Sequence, residues 1–294
     1  MKKFLQSNKQ YLLLALFIIA AVVVNAQTTA IATGNWNNSA TWSAGIPDAS
    51  DAVTINNGVT VTVNTTAECA SISINGGGTA TGITISGSNS LSVSGAITVA
   101  SGTGSGDHRI INVGAGTLSC ASLTMNTTGN DNRYNRLLIS TGTATISGNI
   151  TMNDGDADRN NVVFTNSGTL NVGGDFTGGG VTISSGTIRY TSSGSQEIRD
   201  MDYNNLYFSG AGTKTLPGNI LVQGDVLVEE GAVVTLGADD IDMDDNGDHT
   251  ITINGTFNIN GGWTPCADRN RYQDYGYRVN RGFKYYSHNG PSFI

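Results

Sequence analysis

Apolar and polar residues alternate along most of this chain in short runs. Within residues 83–99, Ile83 and Ile85 flank Thr84, Leu91 and Val93 flank Ser92, and Ile97 and Val99 flank Thr98. A period of two marks a strand with one face buried and the other solvated. Gly, Ser and Asn separate the runs, as tight turns require. Thr, Val and Ile dominate the runs and no 3.6-residue stripe is present, so the pattern predicts strands and not helices.

The runs also repeat. ITISGSNSLSVSGAITVAS from Ile83 is echoed by IINVGAGTLSCASLTMNT from Ile110, LLISTGTATISGNITMND from Leu137 and VVFTNSGTLNVGGDFTGG from Val162. Gly-Thr pairs at 116–117, 142–143 and 168–169 recur at equal intervals, and pairs at 212–213 and 255–256 return with the spacing disturbed. Three short strands in each unit of roughly 26 residues predict an all-β chain, a right-handed parallel β-helix (β-solenoid). Equivalent side chains would then stack about 4.8 Å apart, and eight or nine coils would form a rod on the order of 40 Å long. Paired β-sandwiches share the alternation and the Gly-rich turns, but they do not require equal repeat lengths.

A solenoid exposes its core and its strand edges at both ends, so it needs caps. The stretch GNWNNSATWSAGIPDASDAVTI, residues 34–55, stands just before the first clear strand pair, DAVTI and VTVTV. Trp36 and Trp42, with Ile46 and Pro47, therefore sit where a cap belongs. Paired aromatics in so polar a run equally suit a sugar-binding face, and this makes Trp36 and Trp42 candidate ligand-binding residues too. The expected organisation is a leader at 1–26, a cap at 27–56, β-helix repeats at 57–263 and an atypical tail at 264–294.

The leader combines Lys2, Lys3 and Lys9 with an apolar run at 11–24 and a small-residue site, Val24-Asn25-Ala26. This is the form of a cleavable signal peptide, and the run is shorter than the ~20 residues of a membrane span. A secreted or cell-surface chain with no membrane span after signal cleavage is expected. Residues 27–263 hold 21 acidic and seven basic side chains, a balance of −14. That excess argues against nucleic acid and anionic membranes as partners. From Thr264 the balance reverses to +3, and five of the ten tyrosines crowd into positions 264–294. Such a tail is a C-cap, a basic aromatic extension, or the product of truncation or an altered reading frame. Cys69, Cys120 and Cys266 match no zinc spacing. Cys69 and Cys120 read as buried small hydrophobes or as one bridge.

The pattern GNWNNSATWSAGIPDASDAVTINNGVTVTV resembles the start of G8-type domains and of bacterial secreted surface proteins, where a G-x-W…TW motif, a Pro and an Asp precede the first coils. Residues 204–238 and 254–262 are similar to the strand repeats of those surface proteins. The resemblance spans most of 34–262 and implies an adhesin-like or matrix protein, with polysaccharide as the ligand class. Its motifs are specific for architecture and carry little information on activity.

Loops between coils are where a solenoid carries chemistry. Residues 101–108, 127–136, 154–161 and 238–248 are rich in Asp and Asn. In the last, Asp242-x-Asp244-x-Asn246-Gly247 follows the first half of a calcium loop, with Asp248 a further oxygen donor. Ile253 stands where the bidentate Glu belongs, so calcium competes with plain turn chemistry. Asp154, Asp156 and Asp158 form a similar set. Asp131, Arg133, Asp154, Asp156 and Arg159 on adjacent coils would suit a polysaccharide lyase or glycosidase. His108 and His249 occupy matching GDH triplets, which suits a turn role. Thr-x-Thr pairs at 60–63 and 250–253 suggest an ice-binding face, yet along the chain Ser, Asn and Gly replace them from coil to coil. The expected function is a non-catalytic, adhesin-like surface contacting extracellular polysaccharide or cell-surface matrix, with a lyase or glycosidase and an ice-binding solenoid as alternatives.

Overall fold

The computed structural model describes residues 27–259, except 78–79, 103–105, 107, 127–128, 130–131, 154–155, 157, 237–240 and 244–248. The leader, Cys266 and the tail lie outside the described residues. The chain is an all-β parallel solenoid. Its strands visit three sheets in turn, and each strand pairs in parallel with its counterpart one coil away. The predicted unit is met directly: Thr81–Ile85, Ser90–Val93 and Ala96–Val99 are strands. Ile83, Ile85, Leu91, Val93, Ile97 and Val99 all point into the core.

The first sheet has seven strands, from Gln27–Ala30 to Phe176–Gly178; the second has seven, from Gly34–Asn35 to Gly180–Thr182. The third has nine and runs from Ala67–Cys69 to Ile251–Ile253. Sheet pairing begins at Gln27↔Ala52, inside the segment read as a cap. Interior columns are made of like residues in register. In the third sheet Leu118 stacks on Ala144, then Leu170, Ile188 and Leu206. Burying these aliphatic side chains on one another is the main force holding coil to coil.

Coil length is not uniform. Leu118, Ala144 and Leu170 follow one another at the interval of the Gly-Thr repeat, whereas Leu170, Ile188 and Leu206 follow at a distinctly shorter one. The shortening happens at Gly178-Gly179-Gly180. Gly178 and Gly179 take φ of 71° and 54°, and a Cβ on either would strike Met152. Gly179 alone thus separates Phe176–Gly178 from Gly180–Thr182, where the three preceding coils carry seven or eight residues. The first two sheets stop there. A four-stranded sheet beginning at Gln196–Glu197 and a two-stranded sheet, Ile220–Val222 with Ile241–Met243, take their places, and the third sheet alone runs through.

This break corrects the reading of the Gly-Thr signature. The pair at 186–187 continues the third-sheet series after one shortened coil, Thr169↔Thr187. Those at 212–213 and 255–256 open strands of the replacement sheet instead. Large side chains pin the break. The Tyr190 and Tyr203 hydroxyls lie 2.9 Å apart, both rings buried, and Tyr203 donates to the Arg199 carbonyl. Arg199 Nη2 donates to the Gly179 carbonyl, and its guanidinium lies 4.7 Å from the centre of the Phe176 ring.

Candidate functional site

Trp36 and Trp42 lie inside the first coil, 1% and 3% exposed. A short 3-10 turn, Ser39–Thr41, brings them together, and the Asn38 side chain accepts from Ala40 N to start it. The rings meet edge to face at 4.9 Å, and Trp42 Nε1 donates to the Trp36 carbonyl at 2.7 Å. Their faces and the Trp42 N–H are thus used within the core, and neither ring is presented for stacking on a sugar.

Of the calcium candidates, Asp242 lies in Ile241–Met243, opposite Leu221 in the strand ladder. Asp244, Asn246 and Asp248 lie outside the described residues, as do Asp131 and Asp154. Asp156 pairs with Arg159 at 3.3 Å and accepts from Asp158 N, so its carboxylate is engaged by its own neighbours. Arg133 Nη1 donates to the Gly102 carbonyl, one coil back. No group of three His, Cys, Asp or Glu side chains with metal-holding geometry is present among the described residues.

A buried polar column lies between the first and second sheets. Thr81, Arg109, Asn135 and Asn160 stack in register at the start of second-sheet strands. Arg109 Nη1 donates to Asn135 Oδ1 at 3.0 Å; Asn135 Nδ2 donates to Asn160 Oδ1 and to the Asn126 carbonyl. Asn160 Nδ2 donates to the Met125 carbonyl. Buried polar groups are tolerated only when paired, and each of these amides is. Arg109 and its neighbours are thus committed to holding the corner. His108, just before Arg109, stacks on Tyr134 at 3.9 Å, and the Arg136 guanidinium lies 3.9 Å from the same ring.

The outer face of the first sheet carries a column that reading along the chain did not reveal. Thr29, Thr54, Ser73, Thr98, Thr124, Thr151 and Thr177 are register partners from strand to strand, and none is buried. Single Thr residues thus recur at one coil position, whereas the Thr-x-Thr pair does not: Thr62 faces Thr84 but Thr60 faces Gly82, and Thr145 faces Ser119 and Asn171. A second column, Thr117, Thr143, Thr169 and Thr187, runs along the third sheet. The visible signal was the recurring Ile-Thr or Leu-Thr before Val or Met at 97–99, 123–125 and 150–152.

Farther along the third sheet the outer positions change character. Arg189 and Tyr207 are register partners between buried neighbours. The Arg189 guanidinium lies 5.6 Å from the Tyr207 ring centre and 3.2 Å from Glu229. Partial burial and the nearby Asp225 carboxylate push the Tyr207 hydroxyl above its ordinary value. Sequence reasoning missed this group because Arg189, Tyr207 and Glu229 belong to the shortened coils and fall off the period set by the Gly-Thr pairs.

Cys69 and Cys120 are free and buried in the third sheet. Burial pushes both thiols up to about 12. The strand Ser90–Val93 lies between theirs, which puts them beyond the ~7 Å a disulfide can bridge. No protein family, no curated protein and no solved structure matches this chain.

Proposed function

We propose that the protein is an exported, non-catalytic solenoid whose outer sheet faces form a rigid surface for contact with extracellular polysaccharide or cell-surface matrix. The observation that carries this reading is the Thr/Ser column on the first sheet, Thr29 to Thr177. Short side chains keep the face level, and each Thr offers a hydroxyl and a methyl at a repeat of about 4.8 Å. Backbone pairing in register fixes those groups before any ligand arrives, so little entropy is lost on binding. The apolar leader and the acidic balance of residues 27–263 support an extracellular setting.

The test is co-sedimentation of the mature chain with insoluble polysaccharides and with cell-wall matrix, beside a variant carrying Thr98→Lys, Thr124→Lys and Thr151→Lys. Retention of the wild type and loss in the variant, without release of reducing ends or unsaturated uronates, is expected. Sugar release by the wild type would replace this reading with the lyase or glycosidase alternative.

The same column favours a second reading, ice binding, since a level array of hydroxyls and methyls at strand spacing also orders water. Inhibition of ice recrystallisation by the wild type, lost in the triple variant, would select it; unimpeded recrystallisation would remove it.

A further inference from the structure

Two tyrosines among the described residues occupy outer positions on the sheets, Tyr134 and Tyr207. Tyr134 is already stacked on His108 and covered by Arg136. Tyr207 is not closed off in this way. Its cationic neighbour, Arg189, stands 5.6 Å from the ring centre, near the ~6 Å limit of a cation–π contact, whereas Arg136 lies 3.9 Å from the centre of the Tyr134 ring. Tyr207 is partly buried between the buried Leu206 and Phe208, on a sheet whose neighbouring outer residues include Asn171 and Leu227.

We infer that the outer face of the third sheet around Tyr207 is a binding site for a neutral saccharide unit of an extracellular polysaccharide. This rests on the function proposed above and adds a saccharide position on a second face, the third sheet, beside the Thr column of the first. A sugar ring has an apolar C–H face and a rim of hydroxyls that both donate and accept. Tyr207 supplies an amphipathic ring for the face. Arg189 supplies planar N–H donors and Glu229 supplies acceptors, both about one-third exposed and held together at 3.2 Å. That ion pair fixes two long side chains beside the ring, so the ordering cost of binding is already met.

The charge around the ring selects the class of sugar. Arg189 is met by Glu229, and Asp225 adds a second carboxylate beside Tyr207. Asp225 is itself held in place, accepting from Thr250 N while its own N donates to Asn205 Oδ1. An acidic sugar would meet a local excess of negative charge, on a segment whose balance is −14. A neutral hexose would not.

The test is affinity electrophoresis of the mature chain through gels containing dextran, laminarin or mannan, with alginate and polygalacturonate as the acidic arm. Retardation by at least one neutral glycan is expected. Tyr207→Phe should retain it, and Tyr207→Ala should weaken it about tenfold, the scale of one lost contact. Glu229→Gln, which leaves the ring untouched, unpairs Arg189 and should increase retardation by alginate. Unchanged retardation of Tyr207→Ala, with wild-type melting, overturns this site and leaves the proposed function standing. Retardation by the acidic glycans alone does the same, as does a Glu229→Gln variant with unaltered glycan preference. A wild type retained by no glycan and no matrix overturns both.

Discussion

Removing the Trp42 side chain should cost about 3–5 kcal/mol, the range for a large buried aromatic. The ring is 3% exposed, packs on Trp36 and donates to its carbonyl. Urea denaturation of Trp42→Ala against wild type measures this, and a loss below about 1 kcal/mol would show that the ring does not close the coil. Trp42→Phe keeps much of the packing and gives up the hydrogen bond, so it should fall between the two. Lys214 gives a prediction in pH. Its Nζ is buried and donates to the Ser192 and Gly212 carbonyls. Desolvation holds the ammonium below its ordinary 10.5. In the window between that lowered value and 10.5 the unfolded chain binds the extra proton, so stability rises with pH there. Comparing wild type with Lys214→Met by denaturant titration up to 10.5 should show the difference moving toward the wild type as pH rises. The neutral amine keeps N–H donors for both carbonyls, and losing the proton removes the desolvation cost of a buried ammonium.

At the scale of elements, the corner column of Arg109, Asn135 and Asn160 should be the costly one to break. Asn135→Ala takes an acceptor from the Arg109 guanidinium and a donor from the Asn160 side chain, both in a buried place. A loss of about 2–5 kcal/mol is expected, since buried groups that lose a partner retain their desolvation penalty. Hydrogen exchange should then speed up first in the strands Tyr134–Ile139 and His108–Gly114, which this column ties together. Uniform exchange along the rod would contradict that role. The strands themselves were legible in the sequence because each alternates apolar with polar residues. The column was not. Arg109 and Asn135 follow loops of equal length and Asn160 a slightly shorter one, but nothing local marks an Arg or an Asn as turned inward.

At the scale of the whole molecule, the solenoid is two sections joined through one continuous sheet. The first two sheets end at Phe176–Gly178 and Gly180–Thr182, and the third alone crosses the break. Coupling between stacked repeats depends on their shared interface. Denaturant unfolding should therefore show two steps, with the longer coils before the break and the shorter coils after it separating. Arg199→Ala, which removes the bond to the Gly179 carbonyl and the cover over Phe176, should widen the gap between them. A single transition for both wild type and variant would show that the third sheet suffices to couple them.

Alternation and a recurring Gly-Thr pair determined, without any tertiary information, that this chain is a parallel solenoid with its aliphatic residues inside. Those signals are local: a strand's inward and outward faces follow from period two, and stacked coils follow from equal spacing. The narrowing at Gly178-Gly179-Gly180, the enclosure of Trp36 and Trp42, the Thr column and the grouping of Tyr207, Arg189 and Glu229 were decided only in the folded molecule. Each depends on which residue of one coil lies above which residue of the next. That register is set by the lengths of the intervening loops, and a repeat read along the chain does not contain it.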